Sequence, residues 1–367
     1  MTRGVKVDKF FLAIVFLLVT IGTAIFISAS LGVLAKNAAS FRGVLFSQLV
    51  LGLCLGLGGM YLASKIDYKL WRKYSFFIFL VGIILTACVF VPGLGWSHGG
   101  AQRWISIAGV SFQPVEFLKF GFIVYFAAWL SWARHRVEDF KFGVLPFGIM
   151  LLVIAAILFK QPDVKSFILI TVTGLGMLFL SGVPFKYLIY SILGAITVLA
   201  TLVFSMPYLQ DRIKTFLDPN LDPRGSSYQI QQAAIAFGSG GLFGRGLGQS
   251  VQKFSYLPEP QGDSIFAVLG EEFGFVGVTA VIVLYSLFAL RGMRIANRAP
   301  DYFSGLLVSG IVILITVQSF MHIAAITGVF PLTGVPLVFM SHGGTSLLIY
   351  LIAVGVVLQV SKFQRRI

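Results

Sequence analysis

The sequence predicts an all-α integral membrane protein of ten transmembrane helices with one large extracytoplasmic loop. Three observations carry this. Of 367 residues, 57% are hydrophobic and only 11% are charged, against about 25% charged in a soluble domain. A surface that poor in charge cannot face water. The apolar residues run in long unbroken stretches, whereas membrane barrel strands alternate over short segments; helices and closed barrels are the only spanning solutions, because each backbone group must be satisfied internally. Finally, Lys and Arg collect in alternate connections along the chain.

In order, the apolar stretches cover about 10–31, 44–63, 74–91, 114–133, 143–159, 166–181, 187–206, 263–290, 302–326 and 345–360. The first follows Arg3, Lys6 and Lys9. It is long enough to span and shows no convincing small-residue cleavage site, so no cleavable signal is expected. The second ends in a basic loop, 64–73. A Gly-rich polar stretch with Trp96, His98, Arg103 and Trp104 precedes the fourth. Residues 207–263 form the large hydrophilic region, between the seventh and eighth helices. No internal repeat is visible, which weakens an inverted-repeat transporter. A single polytopic domain, 1–367, is expected.

The net charge is +14. In a soluble chain that would suggest nucleic acid; here no nucleic-acid partner is expected, because 17 of the 28 Lys and Arg lie at the two ends and in the loops after even-numbered spans. That bias puts both termini in the cytoplasm of a multi-pass protein of the cytoplasmic membrane. Residues 207–263 then lie outside. Cys54 and Cys88 fall in apolar stretches, without metal-ligand spacing, and read as packing residues.

The stretch 253–277, KFSYLPEPQGDSIFAVLGEEFGFVG, concentrates acids at a membrane boundary. Asp263 suits a general base or a substrate-orienting carboxylate; it equally suits a helix N-cap. At about 100° per residue, Glu271 lies roughly 80° and Glu272 roughly 180° around a helix from Asp263, so the three cannot line one groove. Glu116 and Lys119, at i and i+3 behind Pro114, share a helix face. They can neutralise each other, or Lys119 can meet an anionic substrate group that Glu116 orients; intramembrane charges favour the functional reading. Asp163 in Gln161-Pro162-Asp163 is a sufficient cap for the sixth helix. Arg103, Arg212, Arg224 and Arg245 carry guanidinium groups suited to phosphate, and an ordinary solvated loop explains them as well. The run 238–248, GSGGLFGRGLG, lacks the Lys-Ser/Thr ending of a P-loop and points to close packing instead. Residues 327–344 break the chain between the last two helices, which is tolerated only where protein or a cavity surrounds it. His322 and His342 are isolated, so no metal site is expected and no cofactor is evident, with a divalent-cation requirement left open.

Taken as an ordered set, these motifs resemble the SEDS family (shape, elongation, division and sporulation). The set comprises Gly99-Gly100-Ala101-Gln102-Arg103-Trp104, Phe112-Gln113-Pro114 with Glu116 and Lys119, Gln161-Pro162-Asp163, Tyr228-Gln229, the Gly-rich run, Tyr256-Leu257-Pro258-Glu259, Asp263 with Ile265-Phe266-Ala267 and Glu271-Glu272, and the tail 328–346. The resemblance implies a ten-helix peptidoglycan glycosyltransferase polymerising lipid II at the outer face of the membrane. The family's essential aspartate falls on Asp263, which would take the proton of the acceptor's GlcNAc 4-hydroxyl or orient it, while undecaprenyl diphosphate leaves. Lys119, Arg103 and Arg212 are the candidates for diphosphate contacts. The implied partners are lipid II, a class B penicillin-binding protein as transpeptidase, divisome or elongasome proteins, and the surrounding membrane lipid. Residues 246–253 lean toward the division branch. The chain departs from the family pattern at Gly262 and Ser264 beside Asp263, at 164–166, at Val338 and at His342. A lipid II flippase, or a non-catalytic scaffold for the penicillin-binding protein, would also suit ten helices with buried charge.

Overall fold

The computed structural model describes residues 7–98, 101–107, 110–218 and 227–364; Arg3, Lys6, Gly99, Gly100, Arg224, Arg365 and Arg366 lie outside them. Among the described residues, seven helices are long and apolar enough to cross a membrane: α1 (Lys9–Ala35), α2 (Ala38–Ala63), α5 (Pro114–Trp132), α8 (Phe185–Ser205), α12 (Ile265–Asn297), α13 (Tyr302–Ile326) and α14 (Gly344–Ser361). Shorter apolar helices stand where the third, fifth and sixth spans are predicted: α4 (Ser75–Phe90), α6 (Val144–Leu158) and α7 (Val164–Leu180). At 1.5 Å per residue, the 15 residues of α6 extend about 22 Å, short of a ~30 Å hydrocarbon core. A short basic helix, α3 (Tyr68–Lys73), follows α2.

At the centre α13 packs against α5, α7, α12 and α14. Exposed Phe, Leu, Ile and Val side chains cover the flanks, as a bilayer requires. The extreme case is α8, where only Leu188 and Leu202 are buried. Cys54 and Cys88 are unpaired, and Cys54 is exposed on the flank rather than packed.

Three features go beyond the predicted helices and loops. The polar region 207–263 contains helices of its own: α9 (Pro207–Leu217), opened by Pro207 in its first turn; α10 (Tyr228–Gly240); and the short α11 (Gln252–Ser255). On α10 the small buried residues Ala233, Ala236 and Gly240 let it approach α12 closely. Between α4 and α5 the chain folds into an antiparallel three-stranded sheet, β1 (Gly95–His98), β2 (Ala101–Ile107) and β3 (Val110–Phe112). Gly95 pairs with Ile105, and Ile105 with Phe112.

The third feature is in α12, which begins at Ile265 rather than Asp263 and breaks at Gly274 (φ 64°, ψ −163°), a conformation open to glycine. The Gly-rich run repairs the break. Arg245 N–H donates to Glu271 O (3.0 Å) and Gly246 N–H to Glu272 O (2.9 Å); past the break, Phe275 N–H donates to Gly241 O (2.9 Å) and Val276 N–H to Leu242 O (3.1 Å). A Cβ on Gly244 would stand 2.2 Å from Glu272 O. Close backbone approach thus explains these glycines.

Candidate active site

The site is organised by the broken segment between α13 and α14. Its backbone has no helix to satisfy it, so side chains from distant elements do so. Gln48, in the π-helical part of α2, donates to Ser341 O (3.1 Å) and accepts from Gly343 N–H (2.9 Å). Gln318 on α13 donates to Pro336 O (3.1 Å), and Tyr285 on α12 donates to Val338 O. Ser341 donates to Gly262 O (2.8 Å), and His342 N–H donates to Gln261 O (2.7 Å). These last two bonds seat the segment against the residues just before α12, and so against Asp263.

Asp263 is half-buried. It does not cap α12: the N-cap residue is Ser264, and no side chain caps there. The hydroxyl of Ser264 instead donates to Pro258 O (2.7 Å) and accepts from Gln229 Nε2 (2.9 Å). The cap reading of Asp263 therefore falls. Among the described residues no cation lies within ion-pair distance of its carboxylate. The carboxylate stands beside Gly334, where an added Cβ would lie 3.0 Å from Asp263 Oδ2 and 3.8 Å from Lys165 Nζ. Lys165 itself donates to Gly334 O.

Two cavities meet at Asp263. One, about 300 Å³, holds three cations, Arg103, Lys165 and Arg212, and continues along apolar residues of α7, α8 and α9, including Ile168, Leu199 and Val203. The other, about 200 Å³, is lined by Arg212, Gln229, His322, Thr333 and Val335. Arg103, carried by β2, is held by the carbonyls of Gln161 (3.2 Å) and Pro162. On α9, burial pulls the Arg212 pKa down, while Asp263 and Tyr208 pull it back up; an arginine remains cationic throughout. Burial raises the Tyr208 phenol, against the pull of Arg103 and Arg212.

The structure thus brings Asp263, Arg103 and Arg212 together. It does not bring Glu116 and Lys119 to them. That pair is buried in α5, with both Glu116 oxygens within 2.9 Å of Lys119 Nζ. Lys119 also donates to Gln318 Oε1 (3.1 Å) and Tyr350 Oη (2.9 Å). The link to the site is indirect, through Gln318 and Pro336. Asp163 is fully buried and caps α7, accepting from Ser166 N–H (3.4 Å) and from Ser166 Oγ (2.8 Å), as its position suggests. Glu271 and Glu272 also have their own partners. Lys253 Nζ lies 2.7 Å from Glu272, and Ser28 bonds to both. Glu271 accepts from Ser250 Oγ, Val251 N–H (3.1 Å) and Gln252 N–H (3.3 Å).

Sequence reasoning missed Lys165, Tyr208, Gln229 and His322 as lining residues. The available signal was the broken segment, since irregular backbone inside a membrane protein lines a cavity or packs in protein. Among the described residues no group of three or more His, Cys, Asp and Glu stands close enough to hold a metal.

The chain is similar to known proteins over nearly its full length. Residues 8–366 match the pattern of the FtsW/RodA/SpoVE family of cell cycle proteins. The chain is 38% identical to a probable peptidoglycan glycosyltransferase FtsW of Trichlorobacter lovleyi, over 98% of this chain and 94% of that protein. It is 37% identical to the stage V sporulation protein E of Bacillus subtilis, over 99% of each. Its fold superposes on a chain of a solved peptidoglycan synthase complex that couples polymerization and crosslinking, with TM-score 0.79, 25% identity and 98% coverage of both chains. The seven long apolar helices, the Asp263 cavities and this full-length similarity lead to one conclusion: the chain is a multi-pass membrane protein belonging to the FtsW/RodA/SpoVE family, the SEDS family that its motifs resemble.

Proposed function

We propose that the chain is a peptidoglycan glycosyltransferase that polymerises lipid II into glycan strands, with Asp263 as general base. One observation carries this reading: an unpaired carboxylate stands where two cavities meet, one of them cationic and apolar. The donor fits the larger cavity. Its diphosphate meets Arg103, Lys165 and Arg212, and its polyprenyl tail runs along Ile168, Leu199 and Val203 toward the lipid-exposed face of α8. The acceptor sugar fits the smaller cavity. Its 4-hydroxyl oxygen attacks the donor's MurNAc C1, and the C1–diphosphate bond breaks as the new glycosidic bond forms. The hydroxyl proton passes to Asp263, and the electron pair leaves with the diphosphate, whose charge the cations stabilise. Only one carboxylate is needed, because the leaving group is already an anion of low basicity. Glu116 and Lys119 serve this site from behind, bracing Pro336 through Gln318.

The excess of Lys and Arg at the chain ends and in alternate loops supports both termini in the cytoplasm, with Asp263 at the outer face of the cytoplasmic membrane. A class B penicillin-binding protein is the fitting partner, crosslinking strands as they emerge.

The test is strand formation from purified lipid II by the chain with its transpeptidase partner. Asp263→Ala should lose about 10²–10⁴-fold in rate, the usual worth of a general base, while keeping its fold and its partner. Normal strands from that variant would remove Asp263 from the chemistry. Transbilayer movement of lipid II without any polymer would make the protein a flippase instead.

A further inference from the structure

His322 is on α13, and its side chain is only 2% exposed. Its Nδ1 lies 2.7 Å from Val335 O. A carbonyl can only accept, so Nδ1 carries the proton in that bond, and in neutral imidazole Nε2 is then a bare acceptor. Nε2 is buried and has no hydrogen-bond partner, and the same holds for Thr333 Oγ1. Both residues line the smaller cavity that Asp263 opens into. A buried polar atom without a partner is costly, and two residues carrying such atoms beside one cavity point to a ligand that completes them. The cavity's 200 Å³ corresponds to about seven water volumes, the scale of a single sugar ring. The residues around it bring a neutral imidazole (His322), a hydroxyl side chain (Thr333), a guanidinium (Arg212) and a carboxylate (Asp263). That mixture suits a polyhydroxylated ring and suits neither a lipid tail nor a phosphate.

We propose that His322 Nε2 accepts a hydrogen bond from a hydroxyl of the acceptor sugar adjacent to the attacking one, so that His322 orients the attacking oxygen toward Asp263 and selects the acceptor. This rests on the glycosyltransferase reading above and adds to it a residue that contacts the substrate. The attacking hydroxyl still gives its proton to Asp263; the hydrogen bond to His322 is neither made nor broken by the bond exchange.

The experiment uses the full chain with its transpeptidase partner and three acceptors: lipid II, and lipid II analogues lacking the 3- or the 6-hydroxyl of GlcNAc. Two variants are compared, His322→Phe, which keeps a ring and removes the acceptor, and His322→Gln, whose amide oxygen can replace it. On native lipid II, His322→Phe should lose about 10–100-fold in kcat/KM, and His322→Gln less than about fivefold. One deoxy analogue should lose a similar factor with the wild-type chain and nothing further with His322→Phe. A purely structural histidine would give losses that multiply, because the missing hydroxyl would then act elsewhere. Multiplying losses, or wild-type kinetics for His322→Phe, overturn the proposal. Should His322→Phe not fold, His322→Gln against the two analogues decides: both hydroxyls dispensable to the wild-type chain also overturn it. If the wild-type chain makes no polymer at all, the glycosyltransferase reading fails and this one with it. If it polymerises, Asp263→Ala does not, and His322→Phe matches wild type, only the present proposal fails.

Discussion

Glu116 and Lys119 on α5 and Asp263 before α12 are all ionisable groups in a mostly apolar chain, yet the first two face each other as a buried ion pair and the third faces open space. Lys119 has three hydrogen bonds, to Glu116, Gln318 and Tyr350. The cavity that Glu116 lines is about 10 Å³, too small for any substrate group. Asp263 has no ion-pair partner among the described residues and opens on two cavities. A closed cluster of this kind holds helices together, whereas an open carboxylate can take up a proton from something that arrives. Charge inside a membrane protein therefore marks importance without saying which kind; whether a counter-ion or open space stands beside the charge separates the two.

The largest effect should come from opening the closed cluster. Lys119→Met leaves Glu116 buried without its counter-ion, and breaking a buried pair costs about 3–5 kcal/mol. Thermal unfolding in detergent should show that loss. The double variant Glu116→Gln with Lys119→Met should be more stable than Lys119→Met alone, since no charge is then stranded. A Lys119→Met protein with wild-type stability and weakened lipid II binding would break the comparison and return Lys119 to the substrate.

A smaller effect is expected at the open site from Gly334→Ala. The new Cβ would stand 3.0 Å from Asp263 Oδ2, and Gly334 has φ +64°, where a side chain is strained. The carboxylate must shift by a few tenths of an ångström or more, and misplacement on the scale of 1 Å can cost about 10²-fold. Polymerisation should fall about 10–100-fold, with partner binding unchanged. Wild-type turnover would mean that the position of Asp263 is not critical.

Much of this was legible in the sequence. Among the described residues, hydropathy located the seven helices long enough to span, because a helix that crosses a membrane must be apolar over most of its length. Asp263, Arg103 and Arg212 were legible as candidate residues, though not as neighbours: Arg103 comes from a β-strand, Arg212 from α9, and the sequence at those places reads as polar loop. The two readings of Asp263 could be separated only by geometry, since a capping aspartate and a catalytic one look alike in local sequence. The Glu116–Lys119 spacing was legible, but Gln318 and Tyr350 lie 199 and 231 residues from Lys119, so nothing local showed that its valences were filled. His322 looked isolated along the chain for the same reason. Its significance comes from an unpaired nitrogen, and pairing is a property of the fold.

The smallest effect should come from Arg245→Ala, which tests the comparison at its border. Arg245 Nη1 lies 3.7 Å from Glu271, and its side chain is 43% exposed. A pair that reaches solvent contributes about 0–1 kcal/mol. Glu271 keeps its bonds from Ser250, Val251 and Gln252 after the truncation. The backbone bond from Arg245 N–H to Glu271 O does not depend on the side chain either, so the repair of the Gly274 break persists. Stability should change by less than about 1 kcal/mol and polymerisation by less than about twofold. Guanidinium groups also suit phosphate, and that gives the variant its second use. If Arg245→Ala unfolds normally yet loses polymerisation with a raised KM for lipid II, Arg245 contacts the donor's diphosphate, and the cationic surface around Asp263 extends beyond Arg103, Lys165 and Arg212.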